Sequence, residues 1–232
     1  MVINTQSRFI FVHVPKTAGT SVMRQLTQLP GNEIRWLART KHETLGEFLV
    51  NAEARCRGGS QSPADLRDYF RFAFVRNPWD RMASFYRYLV ERRPRPEIDT
   101  VQSFRDFLHQ ARDGVGWIRH LHSMRPQLDY FTSPDGGLEM DFVGHFEHLA
   151  EDLGAVGRAL EIAIAVGHEN SSSNARLDYR RSYDAAMIEM VATRFQGEID
   201  AFGYVFDRAQ PGRRCSGPLA RASDAPRDEL AS

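Results

Sequence analysis

At 232 residues, 42% hydrophobic and 26% charged, the chain has the composition of a globular protein long enough to bury a proper core. With 30 basic residues against 30 acidic ones its formal net charge is zero, which argues against a nucleic-acid or bulk membrane-binding surface. Two cysteines imply no disulfide framework, no apolar run approaches the roughly 18 residues of a membrane span, and the first residues lack the charged start and long apolar stretch of a signal peptide, so a cytoplasmic protein is expected.

Taken in chain order, residues 8–14 form a β-branched and aromatic run that reads as a buried parallel strand, and Val22, Met23, Leu26 and Leu29 mark a helix over 19–29. Between them lies Pro15-Lys16-Thr17-Ala18-Gly19-Thr20-Ser21. Such a strand–turn–helix leaves unpaired backbone N–H groups at the positive end of the helix dipole, an anion site by construction. Gly19 lets backbone approach the anion, Thr17, Thr20 and Ser21 add hydroxyls, and Lys16 supplies a compact charge. Only Lys16 and Lys41 are lysines among the 30 basic residues, so the turn departs from an otherwise arginine-based usage. The pattern is not G-x-x-x-x-G-K-[ST]: Lys16 precedes the turn's only glycine.

A short strand at 34–38 and a helix from about 43 to 55 follow, then a loop at 57–63. Residues 69–75 form the next strand, ending in Arg76-Asn77-Pro78, with Asn77 as N-cap and Pro78 at the first position of a helix over 78–91. Arg76 therefore stands on the same sheet edge as Lys16, where open α/β sheets bind ligands, with Ser84 about two turns into the helix. An arginine fork and a hydroxyl there suit a second phosphate, separate from the first. Together they imply a nucleotide phosphorylated at two positions.

Arg92 to Pro96 is an exposed break, followed by a helix over 101–112. Segments 130–132 and 138–144 flank the turn signal Ser-Pro-Asp-Gly-Gly, and 146–165 and 182–197 carry helical spacing. Beyond residue 208 the composition has little to bury and predicts a disordered tail, so a single domain over 1–208 is expected, with 209–232 outside it. Strands alternating with helices predict an α/β, P-loop-like three-layer fold with a central parallel sheet flanked by helices.

Val14 to Ser21 resembles the 5′-phosphosulfate loop of sulfotransferases that use 3′-phosphoadenosine 5′-phosphosulfate (PAPS), and Phe74 to Arg81 with Ser84 resembles their 3′-phosphate motif. The pattern is nearest the carbohydrate sulfotransferase branch with its short bacterial members. It continues through Lys41-His42-Glu43-Thr44, Pro126-Gln127, Asp141 to Glu147, Glu169-Asn170 and Phe202 to Phe206. Where relatives usually carry arginine, this chain has His145.

The resemblance implies that the backbone of Thr17, Ala18, Gly19, Thr20 and Ser21 holds the 5′-phosphate, that Arg76 and Ser84 hold the 3′-phosphate, and that Lys16 stabilises the leaving adenosine 3′,5′-bisphosphate (PAP). The acceptor it implies is a hydroxyl on a glycan or glycolipid, and no metal is required. Of the 8 histidines, His42 follows the second strand on the Lys16 edge and matches the family pattern, making it the candidate general base. The non-periodic stretch 117–127 mixes aromatic, basic and amide side chains and offers Arg119, His122 and Gln127 as acceptor contacts. Two other readings remain at this point: a P-loop nucleotide kinase, for which the glycine-rich loop is missing, and a non-catalytic binder of a nucleotide bisphosphate.

Overall fold

A computed structural model of the chain describes residues 1–30, 32–33, 42–56, 65–92, 96–132, 137–164 and 178–208. Five strands are described: β1 (Val2–Asn4), β2 (Phe9–Val12), β3 (Asn32–Glu33), β4 (Phe70–Val75) and β5 (Phe142–His145). They form one sheet in the order β3-β1-β2-β4-β5. β4 lies parallel between β2 and β5, pairing Val12 with Ala73 and Val75 with His145, so all three carboxyl ends leave the same edge.

The sheet is not parallel throughout. β1 runs antiparallel to both β2 and β3. It is joined to β2 by a tight turn in which Asn4 Oδ1 accepts the Ser7 N–H at 2.7 Å and Arg8 takes φ 51°. Three residues are too few for a period-2 pattern to register, which is why β1 is not legible in the sequence. The strand expected at 34–38 lies outside the described residues, as do Lys41, the loop at 57–63, His168, the Glu169–Arg176 segment and the tail.

Alternation along the strands builds the layers. Phe9, Phe11, Phe72 and Phe74 face one side, where Val22 and Leu26 of α1 (Gly19–Leu26) and Leu153 and Val156 of α6 (Leu149–Ala159) close a core. Ile10, Val12, Ala73 and Val75 face the other, with α2 (Leu45–Cys56), α3 (Pro78–Arg92), α4 (Phe104–Arg112) and α7 (Ala185–Arg194). Helices therefore cover both faces, as expected.

The C-terminal helices are shorter than their hydrophobic spacing predicts. Instead of a helix over 146–165, a single turn at Phe146–His148 leads into α6. That helix stops because the chain folds back on it: Ile162 N–H donates to Gly157 O at 2.9 Å, and Glu161 turns left-handed. A side chain at residue 157 would press on the Ile162 carbonyl. The helix expected over 182–197 is α7, capped by Asp184, and a separate α8 (Gln196–Phe202) that ends at left-handed Gly203. Between α4 and β5, α5 (Gly116–Arg119) and single turns at His122–Met124 and Leu128–Tyr130 carry the chain across the carboxyl edge. Among the described residues, the segments flanking the turn signal pair through one antiparallel bridge, Thr132 to Leu138.

Candidate active site

The first strand end delivers a turn with two left-handed, non-glycine residues, Lys16 (φ 70°) and Ala18 (φ 62°), on either side of Thr17. Each such residue costs on the order of 1–3 kcal/mol, a strain that concentrates at functional sites. Left-handed residues alternating along a turn converge its backbone N–H groups into a concave anion nest. Within α1 the ladder begins with Ser21 and Val22, both donating to Ala18 O at 2.9 and 3.2 Å, so the Gly19 and Thr20 N–H groups stand outside it. No acidic side chain offsets the dipole in the first turn.

Two details of the turn differ from the sequence reading. Thr17 is fully buried and its hydroxyl donates to Val14 O at 3.0 Å, so that side chain braces the turn while its backbone faces the nest. Gly19 is needed for packing: a Cβ there would collide with the buried His13 imidazole.

The second strand end delivers Arg76, nearly buried and fully engaged. Its Nε and Nη2 form a two-pronged pair with Asp80 at 2.9 Å each, and Nη1 donates to Lys16 O at 3.1 Å. The guanidinium also lies 4.0 Å from the Phe146 ring centroid. The two strand ends are thus in direct contact. Asp80, Ser84 and Tyr88 share one stripe of α3 at four-residue spacing. Arg76 holds the first of these, and Lys16 Nζ lies over the Tyr88 ring at 3.9 Å. Half-buried Ser84 falls between them. Tyr88 is a site residue the sequence reading missed, although its spacing from Ser84 was the available signal.

Behind Arg76 sits a buried network. Asn77 caps α3 as predicted, its Oδ1 accepting from Trp79 N–H at 3.1 Å, while its own N–H donates to Glu147 Oε1 at 2.8 Å. Burial pushes the Glu147 carboxyl above the usual range. Gln127, expected to touch an acceptor, is 0% exposed. Its Oε1 accepts the Arg76 N–H at 2.9 Å and its Nε2 donates to Arg76 O at 2.8 Å, so it fixes the Arg76 backbone rather than lining a pocket. Glu198 in turn accepts from the Gln127 backbone and side chain and pairs with Arg81 at 3.4 Å, both ends of the pair being wholly buried. Burial pushes Glu198 up and Arg81 down, each toward its neutral form.

His42 docks on the exit of β2. Its Nδ1 lies 3.2 Å from His13 O. A carbonyl only accepts, so Nδ1 carries the proton and Nε2 keeps the lone pair a base needs. Two residues on, Thr44 and Glu47 form a reciprocal capping box that starts α2. Glu47 also accepts from Arg125 at 3.1 Å, drawing the 122–127 segment across. Exposed His122 thereby comes to 5.6 Å, ring centroid to centroid, from His42, which is itself 4.7 Å from His13. Arg119 is exposed at the end of α5, and no described contact brings it to this group. Among the described residues no cluster of three His, Cys, Asp or Glu side chains could hold a metal ion.

The sulfotransferase family model matches residues 1–205, which spans both strand ends, His42 and the network behind Arg76. The chain belongs to the sulfotransferase family. Carbohydrate sulfotransferase 14 of Mus musculus is 26% identical over 187 residues, and that of Homo sapiens 25% over 182. Each alignment covers 67% of this chain and 45% of the relative, so the chain spans less than half the length of the curated relatives it matches. No solved structure matches. Among the described residues, no helix of this sulfotransferase-family chain is long and apolar enough to cross a membrane.

Proposed function

We propose that the protein transfers a sulfuryl group from PAPS to a hydroxyl of a carbohydrate or glycolipid. The observation that carries this reading is the Arg76–Lys16 contact. It joins a strained turn of open N–H groups to a guanidinium on the neighbouring strand end, so one nucleotide with phosphates at its 5′ and 3′ positions could engage both. The fit is chemical as well as geometric: hydrogen-bond donors and cations dominate both ends. Asp80 is the exception, and its hold on Arg76 is what a 3′-phosphate would share.

In this reading Thr17 to Ser21 hold the 5′-phosphate, and Arg76 with Ser84 the 3′-phosphate. PAPS supplies the activated sulfuryl group. Lys16 leaves the Tyr88 ring to neutralise charge growing on the bridging oxygen, and His42 Nε2 removes the acceptor proton. The protein's part is positioning and electrostatic stabilisation. A glycan hydroxyl is the acceptor class favoured by the curated relatives' names. The cytoplasm is the location we propose.

The test is sulfuryl transfer from labelled PAPS to a panel of glycans and glycolipids, with PAP release measured alongside. Wild-type protein should release PAP in an acceptor-dependent way, and Lys16→Ala should lower kcat about 100-fold or more while still binding PAP. Equal turnover in Lys16→Ala would refute the assigned role.

A further inference from the structure

Resting on the reading of Lys16 as the group that neutralises the leaving nucleotide, we infer that the Tyr88 ring is a second seat for the Lys16 ammonium. The ring holds that charge on α3 until a phosphate draws it off, and it competes for the charge afterwards, so Tyr88 sets how tightly PAP is kept. The contact is direct: Lys16 Nζ lies over the Tyr88 ring, 3.9 Å from its centroid. That is well inside the roughly 6 Å within which a ring quadrupole attracts an ammonium. Both side chains are half-buried, so the attraction is screened less than on an open surface.

The backbone explains why the ammonium can serve two seats. Lys16 is left-handed at φ 70°, and its carbonyl accepts from Arg76 Nη1 at 3.1 Å, so the main chain is pinned. Movement is left to the flexible four-carbon stem. Tyr88 follows Ser84 by four residues on one stripe of α3. Helical side chains lean toward the N-terminus, which brings the Tyr88 ring over the turn that carries Ser84. An ammonium on that ring stands on the α3 side, where Ser84 is assigned to the 3′-phosphate. Its task in transfer lies at the 5′ end, beside the α1 turn.

The competition has a measurable sign. A nucleotide that takes Lys16 must draw it from the ring, and its apparent affinity is reduced by the fraction of molecules in which the ring has let go. The same reduction helps PAP to leave after transfer. Removing the ring should therefore tighten PAP binding, the reverse of what loss of an ordinary contact does. Tyr88 acts through Lys16, so it is a positioning residue.

The experiment combines calorimetric titration with PAP and lysine NMR on the full chain. Tyr88→Leu should bind PAP about 2- to 5-fold more tightly than wild type, the factor that corresponds to one cation–π contact outside a fully desolvated core. Tyr88→Phe keeps the ring face and should match wild type. In a Lys16→Ala background Tyr88→Leu should change nothing, because the competition requires the ammonium. Weaker PAP binding in Tyr88→Leu, or an equal change in both backgrounds, would mean that the ring touches the nucleotide or only packs, and overturns the proposal. The chain has only two lysines, Lys16 and Lys41, so ¹³C-labelled lysine gives two side-chain signals, assigned with Lys41→Arg. The Lys16 signal should be displaced upfield by the ring in ligand-free wild type and Tyr88→Phe. It should return to the ordinary position in Tyr88→Leu, and in wild type saturated with PAP. A Lys16 signal at the ordinary position in ligand-free wild type overturns the proposal. Failure of PAP to bind wild type refutes the nucleotide reading instead, and the ligand-free signal still decides whether the ring holds the ammonium.

Discussion

The protein builds the same device twice, a strand that ends in a turn and a helix, and holds the two copies by opposite means. The β2–α1 unit is assembled from consecutive residues: Val14, Lys16, Thr17, Ala18 and Gly19 shape it through local backbone geometry and one side-chain bond. The β4–α3 unit is held from a distance. Arg76 and Asn77 take their positions from Gln127 and Glu147, and behind Gln127 stand Glu198 and Arg81. The first unit spends backbone strain to leave N–H groups open. The second buries charge to keep one guanidinium in place. Variation in the first should mostly alter chemistry, and variation in the second should mostly alter stability.

The largest effect expected from that contrast is on the buried pair. Glu198→Ala leaves Arg81 fully buried without its counter-charge and removes the acceptor of Gln127, so stability should fall by about 3–5 kcal/mol in urea unfolding. A loss below about 1 kcal/mol would mean that the network is incidental. Next comes Gly19→Ala. Its new methyl meets the His13 ring, an overpacking cost of about 1–3 kcal/mol. Because His13 O also holds His42, turnover should fall further than the stability loss explains. Equal losses in both would separate the turn from the base.

The smallest effect is a pH slope. Burial raises the Glu147 carboxyl, so the folded state keeps its proton to higher pH than the unfolded chain. Its contribution is therefore fully favourable below the ordinary value of 4.5 and is lost as pH rises through the raised folded value. Glu147→Gln cannot ionise and escapes that loss. The variant should gain stability relative to wild type as pH increases across the window, read by urea unfolding at a series of pH values. A difference that shrinks as pH rises would reverse the sign of the account.

The same contrast explains what was legible in the sequence. The Lys16 turn, the Asn77 cap and most strand and helix positions lie within short windows where periodicity and capping chemistry operate. Partners separated by 51 residues, as Arg76 and Gln127 are, or by 117, as Arg81 and Glu198 are, leave no local signal. Gln127 consequently read as a polar contact for an acceptor. The docking of His42 on His13, 29 residues apart, is equally non-local. Gly19 was legible as necessary, but the reason lay in the His13 ring, which only the fold brings to it. β1 escaped notice because three residues carry no pattern, and α6 ended early because of a chain reversal that helical spacing does not record.

The central claim is that the two strand ends bind one nucleotide carrying two separated phosphates. A thermal-shift titration with PAP, run beside AMP and ATP–magnesium, tests it most directly. A ligand that binds only the native state at a hundredfold excess over Kd adds about 2.7 kcal/mol of stability. The account predicts a large upward shift in Tm with PAP, a small one with AMP, and loss of the PAP shift in Arg76→Ala relative to that variant's own baseline. A shift with ATP–magnesium and none with PAP would contradict it.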